Sequence, residues 1–76
     1  MEIPLVDLEP GKEGIIASIE GGFGLKRRIR SIGLREGKNL RVIASHPFGG
    51  PIVVEVDGRE ISIGRGMAMK IFVEIK

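Results

Sequence analysis

The chain has 76 residues, enough for one domain and close to the lower limit for burying a core without staples. It contains no cysteine, which excludes disulfides and thiolate metal sites and agrees with a reducing compartment. No apolar run is long enough to span a bilayer, and the acidic N-terminal stretch lacks the pattern of a signal peptide. The net charge of +2 conceals a strong asymmetry. Residues 1–25 carry one lysine against five acids, a balance of −4. Residues 26–41 carry seven basic groups against Glu36, a balance of +6, and residues 42–76 are neutral. A local +6 can steer an acidic partner toward this segment.

In chain order, Leu5 and Leu8 lie i, i+3 before Glu9-Pro10-Gly11. This predicts a single turn that tucks two leucines against the core and then a Pro-Gly turn. Gly14 to Ile19 is the first strand, with Ile15, Ala17 and Ile19 expected on one face and Ile16 and Ser18 on the other. Gly21 to Gly37 follows, with glycines at both ends. Within it Leu25, Ile29 and Ile32 are spaced i, i+4, i+7, which is one face of a short helix. Lys26, Arg27 and Arg30 point the other way and Arg28 sits on the flank. Gly22 or Gly24 must cap the start, and Gly33 suits the left-handed residue that ends a helix. This is the only full helix expected. Leu34 should pack back on it, and Arg35-Glu36-Gly37 should turn the chain.

Asn39 to Ser45 is the second strand, with Leu40, Val42 and Ala44 inward. His46 to Pro51, including Pro47, is too rich in Gly and Pro to continue a ladder. Ile52, Val54 and Val56 form the inner face of the third strand. Asp57-Gly58 is a two-residue hairpin signal, and Arg59 to Ile63 returns as the fourth strand with Ile61 and Ile63 inward. Gly64-Arg65-Gly66 breaks the ladder, Met67-Ala68-Met69 forms one helical turn, and Ile71, Val73 and Ile75 line the last strand. Five short strands with one helix between the first two predict a mostly β chain folded as a small barrel.

Catalytic chemistry finds little support. His46 is the only histidine, and none of the four serines lies in a nucleophile-elbow context. Metal coordination wants several converging ligands, and His46 stands alone, so no metal site is expected. Gly21-Gly22-Phe23-Gly24 lacks the Gly-Lys-Ser/Thr of a phosphate loop, and no βαβ unit supports dinucleotide binding. No cofactor is expected. Nucleic-acid binding on a β surface needs stacking aromatics, and only Phe23, Phe48 and Phe72 are present, Phe72 on the outer side of its strand. Met67 and Met69 are either flexible core filling or, if one is exposed, part of an adaptable contact surface.

The density of charge on the helix is the remaining signal. Lys26/Arg30 and Arg27/Arg30 are like-charge pairs at i, i+4 and i, i+3, each costing about 0.2–0.5 kcal/mol, partly offset by the helix dipole. Such a face can be merely solvated, or it can dock something acidic.

The ordered set Leu8, Pro10-Gly11, Ile16, Ile19, Gly21-Gly22, Leu25, Arg28-Ile29, Ile32-Gly33-Leu34, Gly37, Val42, Pro47, Gly49-Gly50-Pro51-Ile52, Val56, Gly58, Ala68, Ile71 and Val73 resembles the FeoA family. These are small cytosolic proteins of ferrous-iron uptake, and the resemblance covers nearly the whole chain. The departure is Ile63-Gly64-Arg65-Gly66-Met67, where family members often have Leu-Arg followed by polar or acidic residues. The resemblance implies an SH3-like barrel and a non-enzymatic regulator of iron transport in the cytoplasm. It also implies partnership with the cytosolic GTP-binding domain of the FeoB membrane transporter, with the membrane reached only through that partner. Neither an enzyme activity nor a firm metal site comes with it. The same domain type ends metal-dependent repressors, but 76 residues leave no room for a winged-helix DNA reader. The expected partner face comprises Phe23, Lys26, Arg27, Arg28 and Arg30, with Met67. Weak self-association is also admitted. The alternative reading is a small nucleic-acid-binding β-barrel.

Overall fold

Ile52, Val54 and Val56 alternate along one strand, and all three side chains are buried, so this strand faces a core on one side. The computed structural model describes residues 1–46 and 48–75; Pro47, in the expected 46–51 loop, and Lys76 lie outside the described residues. The strands are β1 (Glu2–Pro4), β2 (Glu13–Ile19), β3 (Asn39–Ser45), β4 (Ile52–Val56), β5 (Arg59–Ile63) and β6 (Ile71–Ile75). A 3₁₀ turn covers Leu5–Asp7, and the helices are α1 (Phe23–Ser31) and α2 (Arg65–Ala68). All strand pairs are antiparallel, in the order β1-β6-β2-β3-β4-β5. Extents of 29 × 26 × 24 Å require this sheet to curl around its core, because a flat sheet with one covering layer is only about 10 Å deep.

The five expected strands are β2 to β6, and the expected helix is α1. The N-terminal residues add a sixth strand, Glu2–Pro4, paired with β6 at Ile3↔Val73. Three residues are too short for periodicity to reveal, so only the leucine turn after them was legible. Leu5 and Leu8 are both buried. The expected small barrel is this curled sheet, whose pairing order among the described residues is linear, with β1 and β5 as its edges. Both edges are short, and Pro4, Arg59 and Glu60 make them poor templates for further pairing.

Simple alternation fails in β2. Ile16 pairs with Val73 and Ser18 with Phe72, so Ala17 is an unopposed bulge residue. The extra residue shifts the phase by one. Ile16 and Ile19 therefore share the core face, and Ile15, expected on the same face as Ile19, is 36% exposed. A second bulge leaves Ile43 unopposed between Val42↔Val54 and Ala44↔Val53, and here Leu40 and Val42 still reach the core. Ile61, expected inward, is half-buried in the middle of the edge strand β5, and Ile75, the last residue of β6, is 40% exposed.

The β4–β5 hairpin has Asp57 at φ 53° and Gly58 at φ 78°, as a type I′ turn requires, and Val56 faces Arg59 across it. Lys38 Nζ reaches Asp57 Oδ2 at 2.7 Å. The second helical turn begins at Arg65 rather than Met67. An Arg65 Nη2 hydrogen bond to the His46 carbonyl, with a longer one to Ser45 Oγ, ties α2 to the end of β3.

Candidate functional site: a basic hollow on the first helix

α1 is built as its spacing suggests. Gly22 is the N-cap, and its carbonyl accepts the Lys26 N–H at 3.1 Å. Ile29 is fully buried while Leu25 and Ile32 are half-buried, so the helix is anchored by one side chain and leans on two. Gly33 adopts φ 102° and donates to the Arg30 carbonyl, while Leu34 N–H donates to the Ile29 carbonyl. That is a Schellman ending, and its apolar partners, Ile29 and Leu34, are both buried. The ending directs the chain past Arg35 and Glu36 to Gly37, whose N–H bonds Ile16 of β2.

This path brings Arg35 back beside the helix. Phe23, Arg27, Arg30, Ser31 and Arg35 line a shallow hollow of about 280 Å³. Phe23 is 73% exposed, and the Arg27 guanidinium carbon lies 4.9 Å from its ring centroid. This cation–π contact contributes about 0.5–1 kcal/mol at an exposed site and holds both groups at the mouth of the hollow. Arg30 Nη2 reaches Glu36 Oε2 at 3.2 Å. The hydrogen bond from Glu36's own backbone, and then the Arg30 guanidinium, hold the Glu36 carboxyl below the usual carboxylate range. Ser31 Oγ donates to the Arg28 carbonyl at 2.7 Å.

Of the residues expected on the partner face, Phe23, Arg27 and Arg30 come together. Arg28 is exposed but does not line the hollow, and Lys26 is half-buried rather than pointing freely outward. Met67 is half-buried against the core on another element, and of the Met67/Met69 pair Met69 is the exposed one. Arg35 and Glu36 were missed because they lie beyond the helix. Their signal was the Gly33 ending, which folds the next residues back on the same face.

No three His, Cys, Asp or Glu side chains among the described residues converge to hold a metal ion. No helix among them is long and apolar enough to cross a membrane. The hollow offers instead two guanidinium groups without a carboxylate partner among the described residues, Arg27 and Arg35, around an exposed ring. Such a surface suits planar anionic groups, since guanidinium matches carboxylate geometry.

The FeoA domain model matches residues 3–75, nearly the whole chain. The chain belongs to the FeoA domain family. It is 41% identical over 71 residues to a protein assigned as Fe(2+) transport protein A in Methanocaldococcus jannaschii, covering 93% of this chain and 84% of that one. It is 30% identical over 71 residues to an Fe(2+) transport protein A/Fe(2+) transporter FeoB fusion protein of Porphyromonas gingivalis. That match covers 93% of this chain but only 8% of the fusion protein. Its fold matches the crystal structure of an iron uptake regulatory protein, FeoA, with a TM-score of 0.91 at 38% identity, covering 97% of each chain. The architecture of this FeoA domain is therefore the SH3-like fold that the resemblance implied, with the basic hollow displayed on its one long helix.

Proposed function

We propose that this chain is a non-enzymatic accessory protein of ferrous-iron transport that docks on the cytosolic GTP-binding domain of a FeoB transporter. The observation that carries the reading is the Porphyromonas gingivalis fusion, in which the two proteins form a single chain. Fusion keeps two modules at high effective concentration, which is useful when they act on one another. The docking face is the hollow of Phe23, Arg27, Arg30 and Arg35, which meets acidic side chains of the partner. The protein acts in the cytoplasm and reaches the membrane through this partner.

Surface plasmon resonance against the transporter's cytosolic domain tests the reading. Reversing Arg27 and Arg35 to Glu is expected to slow association and flatten its salt dependence, because exposed charges act mainly on encounter. The expected loss is about 1–3 kcal/mol. Equal on-rates for wild type and the double reversal, with the fold intact by circular dichroism, would leave the hollow an ordinary solvated face. One observation favours the second reading, a nucleic-acid-binding barrel. An exposed ring under a guanidinium, as in Phe23 and Arg27, is how single strands are stacked. Binding to single-stranded RNA that weakens steeply with salt, without binding to the transporter domain, would favour it.

A further inference from the structure

A second concavity lies at the start of β2. A groove of about 440 Å³ opens between the N-terminal segment, the start of β2 and the end of β6. Its apolar wall is Ile3, Leu8 and Ile75, and the Ile75 side chain remains substantially in water. Asp7, Glu9 and Glu13 are exposed carboxylates on its rim, with Lys12 the one base among them. None of the three carboxylates forms an ion pair with another described residue. An apolar wall opened to water at Ile75, inside an acidic rim, calls for an occupant that is apolar at its tip and cationic around it.

The chain itself displays such a group. Phe23 stands in water with Arg27 stacked on its ring, and Arg35 nearby has no described carboxylate partner. We propose that the acidic groove receives Phe23 and Arg27 of a second copy of this chain, so that copies join head to tail. The ring lies on Ile3, Leu8 and Ile75, and the guanidinium meets Asp7, Glu9 or Glu13. The two surfaces share no residue. The groove takes in Glu13, the first residue of β2, whereas Phe23 and Arg27 lie on α1, which begins four residues after β2 ends. Each copy can use both surfaces at once, which makes the contact heterologous and the product an open chain. The −4 and +6 segments of the sequence are the electrostatic form of the same arrangement. The proposal does not depend on the transporter reading.

Sedimentation velocity on the full chain tests it. At low salt and chain concentrations up to about 1 mM, near the weak end of useful affinities, the average mass should rise above 8.3 kDa and pass that of a dimer. It should return to the monomer as salt screens the contact. Two variants make the test specific. Asp7→Lys/Glu9→Lys removes the socket, and Phe23→Ala/Arg27→Glu removes the plug. Each alone should be monomeric, and an equimolar mixture should form 1:1 pairs and stop there, because one working interface remains. A wild type that stays monomeric overturns the proposal. So does either variant that still self-associates, or a mixture that does not pair. The socket variant retains the basic hollow and should bind the transporter domain as wild type does, so failure of self-association and failure of transporter docking are separately visible.

Discussion

Single residues control both the ending of α1 and the charge of its hollow. Gly33 sits at φ 102°, and a Cβ there would also lie 2.7 Å from Arg59 Nη2. That neighbour is the tip of a flexible side chain and can move, so the lasting cost of Gly33→Ala is the left-handed backbone. A loss of about 1–2 kcal/mol is expected, read as a fall in Tm of roughly 4–8 °C per kcal/mol for a domain of this size. An unchanged Tm would show that Gly33 is not strained. Glu36 makes a subtler case. Its lowered pKa means that its contribution to stability is present above about 4.3, the ordinary glutamate value, and is lost as pH falls through the lowered value. The contribution is small because both partners are exposed. Carbon-13 titration of the Glu36 carboxyl should place its midpoint below that ordinary value. Arg30→Ala should raise the midpoint only part of the way, since Glu36's own backbone hydrogen bond is the larger cause. Complete restoration would assign the shift to the arginine alone.

At the scale of elements, the bulge in β2 decides which isoleucine matters. Ile15 and Ile16 are adjacent and chemically identical, and alternation from Ile19 selects Ile15 for the core. The unopposed Ala17 reverses that choice. Ile16→Ala should therefore cost about 2–5 kcal/mol, as for a buried aliphatic truncation, while Ile15→Ala should cost well under half as much. Urea denaturation of both variants checks this, and equal losses would contradict the register. α1 obeys its periodicity more closely, because a nine-residue helix with a single buried anchor needs no irregularity to present it. Its Schellman ending does more than stop the helix. It returns the chain to β2 at Ile16 and places Arg35 beside Arg27 and Arg30.

For the whole molecule, one cluster of buried aliphatic side chains draws on the 3₁₀ turn, α1, α2 and strands β2 to β6. A single cluster among the described residues favours cooperative, two-state unfolding. Leu5, fully buried in the N-terminal turn, tests this. Leu5→Ala should lower global stability by about 2–5 kcal/mol. Amide exchange in β4, remote in sequence, should accelerate by the same free energy. Exchange rising only in β1 and β6 would mean that the N-terminal segment opens independently. Charge is also organised at this scale. The acidic segment frames the start of β2 and the basic segment carries the helix, an arrangement suited to directional docking.

The sequence by itself determined the five main strands, the helix, the Asp57-Gly58 hairpin and the glycine ending of α1. Each rests on local chemistry: side-chain period, the backbone freedom of glycine and turn preference act over a few residues and need no tertiary partner. It also located the basic segment, because charge can be counted along a chain. Tertiary structure alone decided the rest. The short β1 exists because β6 offers it an edge, and the bulge at Ala17 shows itself only in the pairing of β2 with β6. Lys26 is half-buried by its neighbours, while Arg35 joins Arg27 and Phe23 only after the chain has turned. The acidic groove gathers Ile3, Asp7, Glu13 and Ile75 from both ends of the sequence, and no local pattern encodes a surface assembled from residues more than sixty positions apart.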